Sequence, residues 1–168
     1  HQILASCPSL TTLGTADCGL KFDNSRAVAH QSLSTLNLQH LSISADELAN
    51  FLSRLPALVD VELHLKSPSP IVFHLLASLH CPKLSTFVLR ANLPAVAIDE
   101  STLHRFLIHC PLLMELALPA SLDEAAAAAA VAKRYKALPK STPLMRWFWL
   151  GDSLVELADE HTSQSPSL

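Results

Sequence analysis

Apolar residues recur along the chain at a spacing of three and then two. The copies are Leu10/Leu13/Thr15, Leu33/Leu36/Leu38, Leu58/Val61/Leu63, Leu84/Phe87/Leu89, Leu113/Leu116/Leu118 and, with aromatic substitutes, Leu144/Trp147/Trp149. Their first members stand at 10, 33, 58, 84, 113 and 144, which gives intervals of 23, 25, 26, 29 and 31 residues. Within each copy the closely spaced pair points to one face of a short strand, and the residues between them point to the other. A single strand cannot bury such a face alone, so the copies must stack in parallel, with the intervening segments covering them from outside. The spacing predicts strands centred near 12–15, 35–38, 60–63, 86–89, 115–118 and 146–149.

The intervening segments carry helix signals. Ser44 and Glu47 form a capping box ahead of Leu48, Phe51, Leu52 and Leu55, and Pro56 stops the helix. Pro70 suits a first helical position before Val72, Leu75, Leu76 and Leu79, with Pro82 beyond. Asp99 caps a third helix with Leu103, Phe106, Leu107 and Cys110 on one face, ended by Pro111. Ser121 and Glu124 form another capping box before the alanine run Ala125–Ala130, where Lys133, Arg134 and Lys136 suit the C-terminal dipole. Between Lys21 and Gln31 few periodic apolar residues occur, so an irregular connection is expected there. Beyond Trp149, the amphipathic Leu154, Val155 and Leu157 are expected to close the stack near Glu160.

Most of these intervals fall in the leucine-rich-repeat range of about 20 to 29 residues. The expected fold is an α/β leucine-rich-repeat solenoid, ribonuclease-inhibitor-like, with short parallel strands on the concave face and helices on the convex face. Residues 1–160 form about six irregular repeats, and 161–168 a polar, disordered tail. Outward-alternating strand residues then line the concave face: Thr12, Gly14 and Ala16; Thr35, Asn37 and Gln39; Asp60, Glu62 and His64; Thr86, Val88 and Arg90; Glu115, Ala117 and Pro119; Arg146, Phe148 and Leu150. As partner-binding candidates, Asp60, Glu62 and Glu115 offer carboxylates, His64 an imidazole, Arg90 and Arg146 forked donors, and Phe148 an apolar anchor. Trp147 and Trp149 fall on the core register and are expected to cap the open end of the stack.

Composition narrows the function. The chain has 168 residues, 49% of them hydrophobic and 16% charged, which fits one globular domain rather than a disordered segment. Its longest apolar stretch, 125–132, is far short of a membrane span of roughly 20 residues. A net charge of −3 gives no electrostatic reason to expect nucleic acid or an anionic membrane. Cys7, Cys18, Cys81 and Cys110 form no CxxC pair, and no Asn-x-Ser/Thr site occurs, so a reducing intracellular setting, cytoplasmic or nuclear, is expected. The chain opens at His1 without methionine or leader and reads as a piece of a longer polypeptide.

Nine histidines and four cysteines raise the question of zinc, but the spacing argues against it. Cys7, Cys81 and Cys110 each precede a proline at the same repeat position, so they recur with the repeat and are expected to be buried at successive helix ends. His80 and His109 sit just before such cysteines, where a helix C-terminus favours imidazole. Adjacent residues on a helix diverge, so neither His-Cys neighbour makes a catalytic dyad. No phosphate loop, nucleophile elbow or H-E-x-x-H occurs, and the chain has only three glycines. No catalytic residue, cofactor or metal is expected.

The segments Cys7-Pro8-Ser9-Leu10 with Cys18, Cys81-Pro82-Lys83-Leu84 through Leu89 with Asn92, and Cys110-Pro111-Leu112-Leu113 through Leu118 resemble the cysteine-containing repeats of F-box/leucine-rich-repeat proteins, the fungal members in particular. Cys18 and Asn92 occupy the position where those proteins place a side chain that bonds exposed turn backbone. At the same position Leu41, Lys66, Ser121 and Asp152 depart from the pattern. The resemblance implies the substrate-binding arm of a cullin-based ubiquitin ligase, holding a protein partner on the concave face, with an F-box upstream docking the ligase. The alternative expectation is a generic repeat scaffold, or a regulatory surface like that of repeat-type GTPase activators.

Overall fold

The computed structural model describes residues 4, 6–16, 29–41, 43–66, 81–91, 96–121, 123–150 and 153–154. Among them the architecture is α/β. The strands are β1 (Thr12–Thr15), β2 (Thr35–Leu41), β3 (Asp60–Leu65), β4 (Thr86–Ala91), β5 (Val96–Ala97), β6 (Glu115–Leu118), β7 (Ala120–Ser121), β8 (Trp147–Leu150) and β9 (Ser153–Leu154). The helices are α1 (Ala45–Leu52), α2 (Glu100–His109) and α3 (Glu124–Ala137). The main sheet runs β1-β2-β3-β4-β6-β8-β9. Its first six strands are parallel neighbours and β9 turns back antiparallel on β8, while β5 and β7 form a parallel pair of their own.

Alternation along the strands builds one apolar layer. Leu36 and Leu38 of β2, Val61 and Leu63 of β3, Phe87 and Leu89 of β4, and Leu116 and Leu118 of β6 are all buried and face one core. Leu48, Phe51 and Leu52 of α1 and Leu103, Phe106 and Leu107 of α2 enter the same core, with Phe106 edge-on to Phe87 at 5.3 Å. The α1 capping box forms as its sequence predicts, Ser44 accepting from the Glu47 N–H and Glu47 accepting from the Ser44 N–H. Asp99 likewise caps α2 by accepting from Thr102. The helix predicted after Pro70, the irregular connection from Lys21 and the tail lie wholly or mainly outside the described residues.

The start of α3 differs from expectation. Asp123, not Ser121, is its N-cap and accepts from the Ala126 N–H. Ser121 is already committed to β7, opposite Ala97. Farther along α3, Arg134 leaves the last-turn dipole and lies fully buried, on the same face as Ala127, Ala130 and Val131. Its Nη2 donates to the carbonyls of Pro111 at 2.9 Å and Leu113 at 2.8 Å, which explains the inward turn: those turn carbonyls need donors.

Four strands of the main ladder, β1, β3, β4 and β6, are preceded by the same tight turn. The N–H groups of Leu10, Leu58, Leu84 and Leu113 donate to the carbonyls three residues back, Cys7, Leu55, Cys81 and Cys110, with proline next after each acceptor. Proline's fixed φ suits that second turn position. Two units close the step differently. Leu33 donates to Nδ1 of buried His30, whose Nε2 donates to the Cys7 carbonyl, and Met145 donates to the Tyr135 hydroxyl at 2.6 Å.

Candidate partner-binding face

The side of the sheet away from the helices carries the alternate residues in rows set by the parallel register. One row reads Thr12, Thr35, Asp60, Thr86, Glu115, Trp147, and the next Gly14, Asn37, Glu62, Val88, Ala117, Trp149. A third, shorter row pairs His64 with Arg90. Neighbouring residues in a row stand about 4.8 Å apart, so Asp60 and Glu115, two strands apart, are separated by roughly 10 Å.

Glu62 is the polar centre of this face. Its carboxylate accepts from Asn37 Nδ2 at 2.9 Å and from Arg90 Nε at 3.3 Å, linking β2, β3 and β4. Both Glu62 and Arg90 remain solvent-accessible, so the pair organises side chains more than it stabilises the fold. Next to it, His64 stacks on His40 with ring centroids 4.8 Å apart. His40 reaches this position because the β2–β3 register shifts between Leu38 and Leu41, and it takes a left-handed φ of 55° at that bulge. A local kink thus re-aims an imidazole onto the open face.

Of the residues singled out by the sequence, Asp60, Glu62, His64, Arg90 and Glu115 stand on this face. Arg146 is exposed just ahead of β8, its N–H donating to the Met114 carbonyl. Phe148 is a correction: it is fully buried and pairs with Leu116, while Leu150 pairs with Leu118. The expected register of the last strand is one residue out, and a one-residue slip exchanges the two faces. Trp147 and Trp149 therefore do not enter the core. They lie on the open face, 52% and 40% exposed.

The signal that locates them is the turn. Pro8, Pro56, Pro82 and Pro111 each stand two residues before the first apolar position, and Pro143 does the same for Met145, not Leu144. Met145, Phe148 and Leu150 then reproduce the three-then-two spacing, and all three are buried.

Cysteine placement is mixed. Cys81 and Cys110 are buried as expected, but Cys7 is exposed. It precedes β1, the edge strand of the described sheet, and the neighbouring unit offers it His30 rather than another thiol. His109 does sit in the last turn of α2. Among the described residues no group of three or more His, Cys, Asp or Glu is placed to hold a metal ion, and no helix is long and apolar enough to cross a membrane.

Comparison with protein-family models, curated proteins and solved structures found no match to this chain. The face carries the carboxylates of Asp60, Glu62 and Glu115, the guanidinium of Arg90 and two exposed indoles, with Glu115 directly opposite Trp147.

Proposed function

We propose that the chain is a leucine-rich-repeat solenoid that serves as a protein-recognition module, binding its partner on the concave side of the parallel sheet. The observation that carries this reading is the exposure of Trp147 and Trp149 in the same two rows as Asp60, Glu115 and Glu62. Isolated exposed apolar residues are ordinary, but two neighbouring indoles in line with charged side chains match the aromatic-and-charge composition of binding hot spots. Rigid indoles supply contact area at low entropic cost, and the carboxylates select partners by charge. No catalytic step is assigned to the module.

The link to a ubiquitin ligase rests on the resemblance of the Cys-Pro turns to F-box/leucine-rich-repeat proteins. In that reading an F-box elsewhere in the polypeptide docks the ligase and the module selects a protein for ubiquitination. The test has two arms. Partners captured from lysate are identified, purified and titrated against wild type, Trp147→Ala/Trp149→Ala, Asp60→Lys/Glu62→Lys and the control Lys136→Ala on the helical side. Weakening of tenfold or more by both face variants and none by the control is expected; equal affinities would place binding elsewhere. The full polypeptide is then purified from cells and probed for a cullin scaffold, whose absence would separate the recognition module from the ligase.

A further inference from the structure

Cys81 and Cys110 have no part in the face described above, yet they meet inside the fold. Each is the first residue of the proline turn in its unit, accepting from the N–H three residues on, at 3.1 Å in both cases. From these turns the chain runs into β4 and β6, where Thr86 pairs with Glu115 and Phe87 with Leu116. The same three-residue step back from Leu84 and from Leu113 makes the two cysteines neighbours across the ladder. Strand neighbours lie about 4.8 Å apart, inside the Cα separation that a disulfide spans. Both side chains are buried, and each thiol perturbs the other's proton affinity.

A cation stands beside them. Arg134 Nη2 reaches the Cys110 carbonyl at 3.5 Å, and its Nε and Nη1 are buried without hydrogen-bond partners among the described residues. The guanidinium charge there favours the deprotonated form of Cys110, opposing the burial that disfavours it. The hydrogen bond from Cys110 holds the Cys81 thiol below the usual thiol range, whereas that bond and burial drive Cys110 well above it. The first proton lost from the pair leaves a thiolate at Cys81, with Cys110 as its donor.

We infer that Cys81 and Cys110 are a dithiol–disulfide couple that hydrogen peroxide closes into a covalent staple between consecutive units. The Cys81 sulfur attacks one peroxide oxygen, the O–O bond breaks, and the departing hydroxide is protonated to water, leaving a sulfenic acid. The Cys110 sulfur then attacks the Cys81 sulfur and gives up its proton as the S–O bond breaks and a second water leaves. Two thiols are oxidised to one disulfide, and one peroxide is reduced to two waters. A small oxidant is required, because Cys81 is 6% exposed and Cys110 is fully enclosed. A thiol reductant reverses the bond.

The experiment uses the full chain carrying Cys7→Ser and Cys18→Ser, so that only the two buried thiols remain. Folded protein is treated with peroxide, denatured in an alkylating agent and mapped by peptide mass. The expected result is simultaneous loss of both thiols, a cross-linked peptide joining Cys81 to Cys110, and a raised melting temperature, all reversed by dithiothreitol. Cys81→Ala leaves a methyl at the reactive position and is checked for folding by circular dichroism; its Cys110 should survive the same treatment. Two thiols still alkylatable, sulfinic acid without a cross-link, or oxidation of Cys110 at an undiminished rate in Cys81→Ala would each overturn the inference.

Discussion

The unit around β3 and the unit around β8 use one plan with different materials. In the first, Val61, Leu63 and Leu65 face the core, Asp60, Glu62 and His64 face out, and a backbone carbonyl closes the turn at Leu58. In the second, Phe148 and Leu150 face the core, two tryptophans face out, and a tyrosine hydroxyl closes the turn at Met145. Residue size would assign the tryptophans to the interior, and the ladder overrules it. Strand register follows from where the preceding turn ends, because period-two alternation carries that starting point through every later residue.

The largest effect should come from breaking this contrast at β8. Phe148→Ala empties a fully buried site and should cost about 3 to 5 kcal/mol in urea unfolding. Trp147→Ala, only one residue away, should change stability by no more than about 0.5 kcal/mol. Equal losses would return the tryptophans to the core. At the matching position of β6, Leu116→Ala should cost about 2 to 5 kcal/mol by the same measurement.

Tyr135→Phe removes the acceptor of the Met145 N–H and should cost about 1 to 3 kcal/mol, with β8 losing amide-exchange protection before β3 does. Uniform protection loss across the sheet would mean that the hydroxyl does not locally anchor the last unit. The smallest effect concerns α1. Hydrogen bonds from the Ser44 hydroxyl and N–H hold the Glu47 carboxyl below its ordinary value, so its contribution is complete above the unfolded-state pKa and fades as pH falls through the lowered folded value. Melting curves from about pH 6 to pH 3 should therefore show a smaller acid loss for Glu47→Gln than for wild type.

Much of the scaffold is readable from residues alone, for physical reasons that also mark where reading stops. Strands β2, β3, β4 and β6 announce themselves because leucine-like residues recur at a strand's period, and α1 and α2 because Ser44 and Asp99 can satisfy free helix N–H groups. The start of α3 misleads because Ser121 and Asp123 are both competent caps, and only the pairing of β7 with β5 removes Ser121 from the choice. His40 is invisible in a different way: nothing in its neighbours requires a non-glycine residue at positive φ. For the candidate face, Asp60, Glu62, His64, Arg90 and Glu115 follow from alternation, whereas Trp147 and Trp149 require attention to Pro143. Arg134 is the hardest to foresee, since a cationic residue in a helix's last turn ordinarily faces water.

At the foot of successive strands, one amide proton is received by a peptide oxygen, by an imidazole nitrogen or by a phenol oxygen. A joint that accepts three chemistries places little demand on what arrives at it. The outer segments can then change length and composition while the ladder keeps its alignment, as it does from the Thr12–Thr35 step to the longer Glu115–Trp147 step. Inheritance of the inner layer and drift of the outer one are thereby uncoupled, and foreign outer segments become graftable wherever they supply one acceptor at that joint.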